Sequence, residues 1–323
     1  MKKIVIIAVV AALILSLFPG IVLAKPPLQV DKHKPVPATD VELAKMVTIQ
    51  KPGPPIVPPG QDKKKGGKGA TATGVLGDPV VGTRYAIVVG ISDYPGTDAD
   101  LRYMDDDAEE MVLALNGYGF LEDNIISLID KDGTEEAGGT LVATRADLIQ
   151  AIRDTAAKVT PDDEVVFYFS GHGGRGRAED GDREKTDECI WAHDGSANLE
   201  PIWDGELEAE FSGYETSRIV FIFDSCYSGG MTDLKATGRV LAMATTENTV
   251  GYESSLWENG EFTYYLVDYG MLQGKANSHD YDEDGILEES EEVTIEEAWD
   301  YAKANCQYDK PSISDSFDDD LLP

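Results

Sequence analysis

His172 and Cys226 are the residues of this chain best suited to chemistry, because each follows a run of strand-forming residues and lies among small residues. His172 stands in FYFSGHGG, residues 167 to 174, and Cys226 stands in FIFDSCYSGG, residues 221 to 230. A thiol can attack a carbonyl carbon and form an acyl intermediate while a nearby imidazole transfers the protons. The two motifs therefore predict a cysteine-type hydrolase that acts on peptide bonds.

The two motifs can act together only if the fold brings them to one place. In an open α/β sheet the carboxyl ends of neighbouring parallel strands lie at the same edge. We therefore expect His172 and Cys226 side by side at strand ends that face solvent. Either residue alone is more often a buried structural residue, but the flanking glycines allow backbone to approach a substrate closely.

The motifs resemble those of the caspase-like peptidases, specifically the metacaspase and prokaryotic caspase-homologue branch, in which SGHG precedes DSCxSG. The 54-residue separation of His172 and Cys226 is close to the roughly 50 residues typical of caspases. YAIVVGISDYPG at 85–96 and LRYMDDDAEEM at 101–111 resemble the first core strand of that family and the segment that leads into its first helix. The resemblance covers most of residues 81–323.

The resemblance implies roles for five residues. Cys226 would be the nucleophile and His172 the proton-transfer residue, with the N–H groups of Gly173 and Cys226 binding the oxyanion. Asp224 stands where caspases have Gln, and Asp107 matches an acidic position of the first-helix motif. Two carboxylates in one pocket would favour Arg or Lys before the scissile bond and repel Asp. Asp107 has a second interpretation, as a helix N-terminal acid favoured by the helix dipole. No third catalytic residue is evident.

DYDEDGILEESE, residues 280–291, fits the pattern of a calcium-binding loop. Its oxygen donors are hard ligands, and Gly285 permits the sharp turn that such loops need. The segment before it is not a clear helix, and Glu296 is an alternative to the ligand at the twelfth place. The sequence thus predicts Ca²⁺, and no organic cofactor, with these ligands: Asp280, Asp282, Asp284, the carbonyl of Ile286, and Glu291.

The first 24 residues resemble a secretory signal peptide, because Lys2 and Lys3 precede an apolar run that ends before a small-residue cleavage pattern. Residues 25–80 are rich in Pro, Gly and Lys, which predicts a flexible arm, either a linker or a removable pro-segment of a zymogen. The basic cluster from Lys63 to Lys68 is a candidate site of autoprocessing. The mature protein is expected to be secreted or associated with the cell surface, without a membrane span.

Charge differs sharply along the chain. The whole chain carries −33, and residues 81–323 alone carry −39, because the leader and the arm together contribute +6. A basic arm before so negative a domain can be a linker or a pro-segment held by charge attraction. The expected partners are protein or peptide substrates with basic residues, and no nucleic acid is expected.

Alternating strand and helix patterns over residues 81–323 predict one α/β domain with a mostly parallel central sheet and helices on both faces. The resemblance implies the same arrangement, a caspase-like sandwich. Strands are expected near 85–91, 124–129, 164–170, 189–193, 218–223 and 239–244. Helices are expected near 106–117, 144–158, 204–212, 262–272 and 294–305.

Three cysteines leave one question open. Cys189 and Cys306 can form a disulfide in an exported protein or remain as two buried thiols. Two other functions also stay open: a legumain-like or gingipain-like peptidase with a different pocket, and a non-catalytic calcium-binding surface protein with a caspase-like domain.

Overall fold

The computed structural model describes residues 82–96, 98–135, 137–177, 186–276 and 293–317, together with the backbone of residues 43–45. The predicted leader, most of the arm and the calcium-loop motif lie outside these residues. None of the described helices is long and apolar enough to cross a membrane.

The described residues form twelve strands. In chain order they are β1 (Leu43–Lys45), β2 (Arg84–Ile91), β3 (Ile125–Asp130), β4 (Glu164–Ser170), β5 (Gly173–Gly176), β6 (Asp187–His193), β7 (Leu199–Trp203), β8 (Ile219–Asp224), β9 (Arg239–Met243), β10 (Tyr252–Ser254), β11 (Asn259–Gly260) and β12 (Ser312–Asp315). Six of them make the central sheet in the order β12-β9-β8-β4-β2-β3. All neighbours in it are parallel except β12, which runs antiparallel to β9.

The helices of the described residues pack on both faces of this sheet. They are α1 (Met104–Gly117), α2 (Arg145–Ala156), α3 (Asp204–Phe211), α4 (Glu261–Thr263), a π-helix (Tyr264–Leu272) that continues α4 directly, and α5 (Ile295–Asn305); single 3₁₀ turns cover Glu122–Asn124, Ser228–Gly230 and Thr232–Leu234. Thr144 caps α2 by accepting the N–H of Asp147, as its position before the apolar run predicts.

Two hydrophobic cores, one on each face, hold the layers together. β4 is buried along its whole length, which is typical of a central strand covered by helices on both sides. Successive side chains of a strand point to opposite faces, so Phe167 and Phe169 enter one core and Val166 and Tyr168 the other. The predicted fold class, a mostly parallel sheet between helices, is therefore confirmed.

Two small antiparallel sheets flank the central one. β5, β6 and β7 form a three-stranded sheet, so the predicted strand at 189–193 lies outside the central sheet. The second small sheet joins β1, β10 and β11, with Lys45 opposite Tyr252. A piece of the predicted arm therefore pairs with the folded domain.

Candidate active site

The central sheet brings the two chemical motifs to one edge. β4 and β8 are adjacent and parallel, with Ser170 opposite Asp224, and His172 and Cys226 each follow two residues later. The pairing continues past the strand ends, because the N–H of Gly171 donates to the carbonyl of Asp224 at 3.2 Å. The predicted meeting of the motifs therefore follows from strand order and register.

Gly173 lies directly on the backbone of Cys226. A Cβ placed at Gly173 would be 1.9 Å from the carbonyl oxygen of Cys226 and 2.9 Å from its nitrogen. No side chain fits at this separation, so only glycine permits the approach. The predicted oxyanion donors, the N–H groups of Gly173 and Cys226, thus belong to two chain segments in direct contact.

The imidazole of His172 is held by main-chain and side-chain partners. Nε2 lies 2.7 Å from the carbonyl oxygen of Ala99. The hydroxyl of Tyr94 accepts the N–H of His172 at 2.9 Å and donates to the carbonyl of Trp191 at 3.2 Å. The Tyr94 ring also packs on the imidazole, with centroids 4.8 Å apart.

The hydrogen bond to Ala99 decides the tautomer of His172. A carbonyl oxygen only accepts, so Nε2 must carry the proton and Nδ1 of the neutral ring keeps its lone pair. Nδ1 is buried and makes no hydrogen bond within the described residues. Burial lowers the pKa of His172 to about 4, although the Ala99 hydrogen bond opposes the shift. The ring is therefore neutral at pH 7, with Nδ1 available as a base.

A tight turn positions the sulfur of Cys226. Sγ accepts the N–H of Gly251 at 3.4 Å. Tyr227, the next residue, has φ 59°, a left-handed conformation that strains a residue with a side chain. Its N–H donates to the carbonyl of Thr249 at 2.9 Å, and the guanidinium of Arg175 lies 4.6 Å from its ring centroid. These contacts hold the strained turn.

The expectation that the two residues face solvent is wrong. His172 and Cys226 are each only 1% exposed. Strand ends in this fold are covered by loops and by the small sheets, which the position of a residue at a strand end does not reveal. A substrate carbonyl can therefore reach the sulfur only after neighbouring groups move.

Asp107 and Asp224 lie together on Gly260. A Cβ at Gly260 would be 2.5 Å from Oδ2 of Asp224 and 3.1 Å from Oδ2 of Asp107. Asp107 accepts the N–H of Gly260 at 3.0 Å and the hydroxyl of Ser170 at 2.6 Å. Asp224 Oδ2 accepts the N–H and hydroxyl of Thr263, at 2.9 and 2.8 Å. We call Asp107, Ser170, Asp224 and Gly260 the acidic pocket.

The acidic pocket has no counter-ion within the described residues. Both carboxylates are fully buried, and none of the described ion pairs includes them. Burial raises the pKa of both, and the negative charge of Asp224 raises that of Asp107 further. Asp107 lies in the first turn of α1, as its second interpretation predicts. Its side chain also faces Asp224, so the helix dipole is not the only electrostatic influence on it.

A comparison with protein families agrees with this arrangement. The family model described as the caspase domain matches residues 83–298. The chain belongs to this caspase-domain family. The family, including its metacaspase branch, consists of cysteine-type endopeptidases.

Several metacaspases are similar to parts of this caspase domain. Metacaspase-4 of Arabidopsis thaliana is 35% identical over 156 residues, 47% of this chain and 35% of that protein. Metacaspase-1 of Saccharomyces cerevisiae is 34% identical over 160 residues, 48% of this chain and 36% of that protein. Metacaspase-1 of Ajellomyces capsulatus is 29% identical over 210 residues, 62% of this chain and 57% of that protein. The alignments thus span about a third to just over half of each relative.

A solved structure also shares the fold. The crystal structure of protein GSU0716 from Geobacter sulfurreducens is similar, with a TM-score of 0.50 and 17% sequence identity. The match covers 72% of this chain and 93% of that one. At this identity the likeness concerns the fold alone.

Sequence reasoning missed a second group of carboxylates close to the turn that follows Cys226. Asp204 is 3% exposed, and its Oδ1 makes no hydrogen bond with any residue that the structure describes, although its carboxylate accepts the N–H of Asp233. Glu188 packs on Gly230, where an added Cβ would lie 2.2 Å from its carboxyl carbon. Burial, with repulsion from Asp233, Glu188 and Asp187, raises the pKa of Asp204 to about 8. We call Asp187, Glu188, Asp204 and Asp233 the acid cluster; no sequence spacing singles it out in so acidic a chain.

The predicted calcium ligands are not among the described residues. Glu296, the alternative ligand, is fully buried in the first turn of α5. Within the ranges that the structure describes, no three His, Cys, Asp or Glu side chains are arranged to hold a metal ion. The loop residues that lie outside are Asp280, Asp282, Asp284, Ile286 and Glu291.

The cysteine alternatives are resolved in favour of thiols. Cys189 and Cys306 are both free, and Cys189 is buried in β6. Nε2 of His193 lies 2.7 Å from a carboxylate oxygen of Asp130 in the protein interior.

Proposed function

We propose that this chain is an exported cysteine endopeptidase that cleaves after Arg or Lys, using Cys226 as nucleophile and His172 as acid and base. The observation that carries the proposal is the acidic pocket, in which two buried carboxylates lie on Gly260 and no described residue supplies a counter-ion. Asp224 is only two residues before Cys226, so a side chain that enters the pocket leaves its own carbonyl near the sulfur.

In the proposed reaction Nδ1 of His172 takes the thiol proton of Cys226, and the resulting thiolate attacks the peptide carbonyl carbon. The N–H groups of Gly173 and Cys226 stabilise the oxyanion. His172 then gives its proton to the departing amine, which leaves an acyl-enzyme on sulfur. A water molecule, deprotonated by His172, attacks the acyl carbon and releases the acid and the thiol. The carbonyl of Ala99 keeps the ring oriented through all of these proton transfers.

Charge supports a preference for basic side chains. A buried carboxylate without a partner is costly by several kcal/mol, and a guanidinium or ammonium group in the pocket offsets that cost. An Asp side chain would add a third negative charge and is therefore excluded. Peptide cleavage with this preference would distinguish the proposal from a non-catalytic surface protein. A legumain-like or gingipain-like peptidase would share the His and the Cys and differ in its pocket residues, so a substrate panel separates it.

Calcium dependence is part of the proposal. Hard oxygen donors suit Ca²⁺, and both the predicted loop at 280–291 and the acid cluster supply them. Oδ1 of Asp204 is buried and has no hydrogen-bond partner in the described part of the chain, and the cluster touches the turn after Cys226 through Glu188 and Gly230. Binding at the cluster requires its carboxylates to draw closer together. An ion there would stabilise the turn that carries the nucleophile.

The arm is proposed as a pro-segment. β1 pairs with β10 so that Lys45 lies opposite Tyr252, next to Gly251, whose N–H binds the sulfur of Cys226. This neighbourhood supports control of the site by the arm. The basic cluster from Lys63 to Lys68 is then a substrate for the acidic pocket of the same enzyme or of another copy.

Two measurements test the proposal. A thiol-reactive peptidyl-arginine probe should label wild-type protein at Cys226, and purified precursor should shorten at Lys63 to Lys68. The Cys226→Ala protein should stay unlabelled and full length. Cleavage of Asp-containing caspase substrates with arginyl and lysyl substrates untouched would overturn the specificity, and absence of any peptidase activity with calcium present would favour the non-catalytic alternative.

A further inference from the structure

A third buried carboxylate, that of Asp309, lies beside the acidic pocket. Asp309 is 1% exposed, and neither of its carboxyl oxygens makes a hydrogen bond of normal geometry within the described residues. Burial, with repulsion from Asp224 and Glu261, raises the pKa of Asp309 well above its ordinary value, although the N–H groups of Phe262 and Tyr252 oppose the shift. A carboxyl group buried to this degree without a counter-ion is costly to ionise.

The segment Gly260–Thr263 places Asp309 relative to the pocket. The N–H of Gly260 faces Asp107, that of Phe262 faces Asp309, and that of Thr263 faces Asp224. The first N–H groups of a helix point the same way and lie within one turn of one another. The three carboxylates therefore converge on one short stretch of backbone.

Glu261 holds the loop that carries Asp309. Its carboxylate accepts the N–H groups of Gln307, Tyr308 and Asp309 at 2.8, 2.8 and 2.6 Å. The Tyr308 ring packs against Tyr252 and Trp257, with centroids 5.8 and 6.1 Å away. The position of Asp309 is thus fixed by the same helix start that contacts Asp107 and Asp224.

The nearby cation does not neutralise Asp309. Lys310 is exposed, and its ammonium donates to the carbonyl of Gln307 at 2.9 Å. Within the described residues none of the ion pairs includes Asp309. A cation that arrives with the substrate would therefore favour the ionised form of Asp309 and pair with it.

We infer that Asp309 is a third specificity-determining carboxylate, which makes the pocket selective for the guanidinium group of arginine over the ammonium group of lysine. A guanidinium has five N–H donors in a planar fork and can meet several carboxylates at once. An ammonium is a compact charge that Asp107 and Asp224 already satisfy. The inference rests on the proposed function and adds a preference for arginyl over lysyl substrates.

Steady-state kinetics on matched arginyl and lysyl peptides test the inference. Asp309→Asn should lower kcat/KM on the arginyl peptide by about tenfold or more, the scale of one charged hydrogen bond, mainly through KM. The lysyl peptide should lose much less, and Asp309→Glu should restore part of the preference. Asp315→Asn, the same change on β12 of the same C-terminal segment, is the control and should leave both peptides unchanged.

Stability separates a binding role from a structural one. Removing a buried carboxyl group whose ionisation is opposed by burial and by Asp224 and Glu261 should raise the Tm of Asp309→Asn, whereas loss of a structural contact would lower it. In the Cys226→Ala background, agmatine should raise Tm more than cadaverine does, and Asp309→Asn should remove that difference. This readout needs no turnover.

The outcomes distinguish this inference from the proposed function. If Asp224→Asn abolishes arginyl cleavage while Asp309→Asn leaves the arginyl-to-lysyl ratio unchanged, the role of Asp309 is overturned and the proposed function stands. An equal loss on both peptides with a lower Tm also overturns it. If wild-type enzyme cleaves neither peptide, the proposed function itself fails.

Discussion

In the proposed reaction, His172 and Cys226 exchange protons without a carboxylate partner. The neutral imidazole donates from Nε2 to the Ala99 carbonyl and keeps Nδ1 for the thiol. The Tyr94 hydroxyl fixes the backbone of His172 from the other side. The chemistry therefore depends on the geometry of one loop as well as on the two reactive side chains.

Cys226→Ala should abolish hydrolysis of arginyl peptides, because no other group can form the acyl-enzyme. Its cost in stability should be on the order of 1 kcal/mol, since one buried sulfur is lost. Cys189→Ala removes another buried thiol, outside the site, and serves as the control that keeps activity. Turnover by Cys226→Ala at a rate comparable to wild type would show that another residue is the nucleophile.

The pocket carboxylates should set the acidic limit of activity. Burial raises the pKa of Asp224 to about 6, whereas His172 has a pKa of about 4. As pH falls below 6, Asp224 takes up a proton and loses the charge that binds arginine. The kcat/KM for an arginyl peptide should therefore decline near pH 6, while His172 stays neutral. The residual activity of Asp224→Asn should not decline near pH 6. If the variant still loses activity at that pH, another group causes the decline.

At the scale of helices and strands, local pattern carried most of the information. The predicted helix at 294–305 and strands at 164–170 and 239–244 agree with the structure to within a residue or so. Each has a clear apolar period or a buried β-forming run between breakers. The sequence also predicted that the motif of His172 lies beside that of Cys226 and that Asp107 lies near Asp224. The first prediction depends on the ends of parallel strands, and the second depends on the family motifs.

Contacts between distant segments were beyond the sequence. The pairing of β5 with β6 and β7 and the strand β12 involve short, weakly patterned segments. The π-helical continuation of α4 has no local signature that separates it from an α-helix. Asp309 and the acid cluster are ordinary acids in an acidic chain, and only tertiary packing makes them neighbours. The burial of Cys226 likewise arises from elements far away in sequence.

Calcium binding should be testable element by element. If the acid cluster binds Ca²⁺, Asp204→Asn should remove most of the calcium-dependent rise in Tm or activity, because a ligand that binds only the folded state stabilises it. If the loop binds instead, Asp282→Ala with Asp284→Ala should remove it. A calcium response unchanged in both variants would place the site elsewhere. Titration calorimetry with CaCl₂ on each variant measures the affinity directly.

At the scale of the whole molecule, unpaired acids should weaken the fold as pH rises. Burial raises the pKa of Asp204 to about 8 and that of Glu164 to about 7, against about 4 in the unfolded chain. Between pH 4 and pH 8 the folded state therefore binds more protons than the unfolded chain. The stabilisation that these two groups contribute is fully present below pH 4 and is lost as the pH rises towards 8. His172 acts in the opposite direction, below pH 6.5.

The Tm in EDTA should therefore be lower at pH 8 than at pH 6. Measurements at high salt screen the general repulsion within the domain, whose net charge is −39. The Asp204→Asn variant should show a smaller difference in Tm between pH 6 and pH 8. Added calcium should restore Tm at pH 8 most strongly, because Asp204 is ionised there. A Tm that rises from pH 6 to pH 8 in EDTA would contradict these shifts.

The orienting partner of His172 is an oxygen of the main chain, and this has an evolutionary consequence. Every amino acid supplies the same carbonyl, so position 99 is free to vary while its atom keeps its task. Substitutions there should be tolerated, whereas an insertion or deletion between Tyr94 and Leu101 would displace the oxygen and inactivate the enzyme. Natural variants should accordingly conserve the length of the loop between Tyr94 and Leu101 more strictly than its amino-acid sequence.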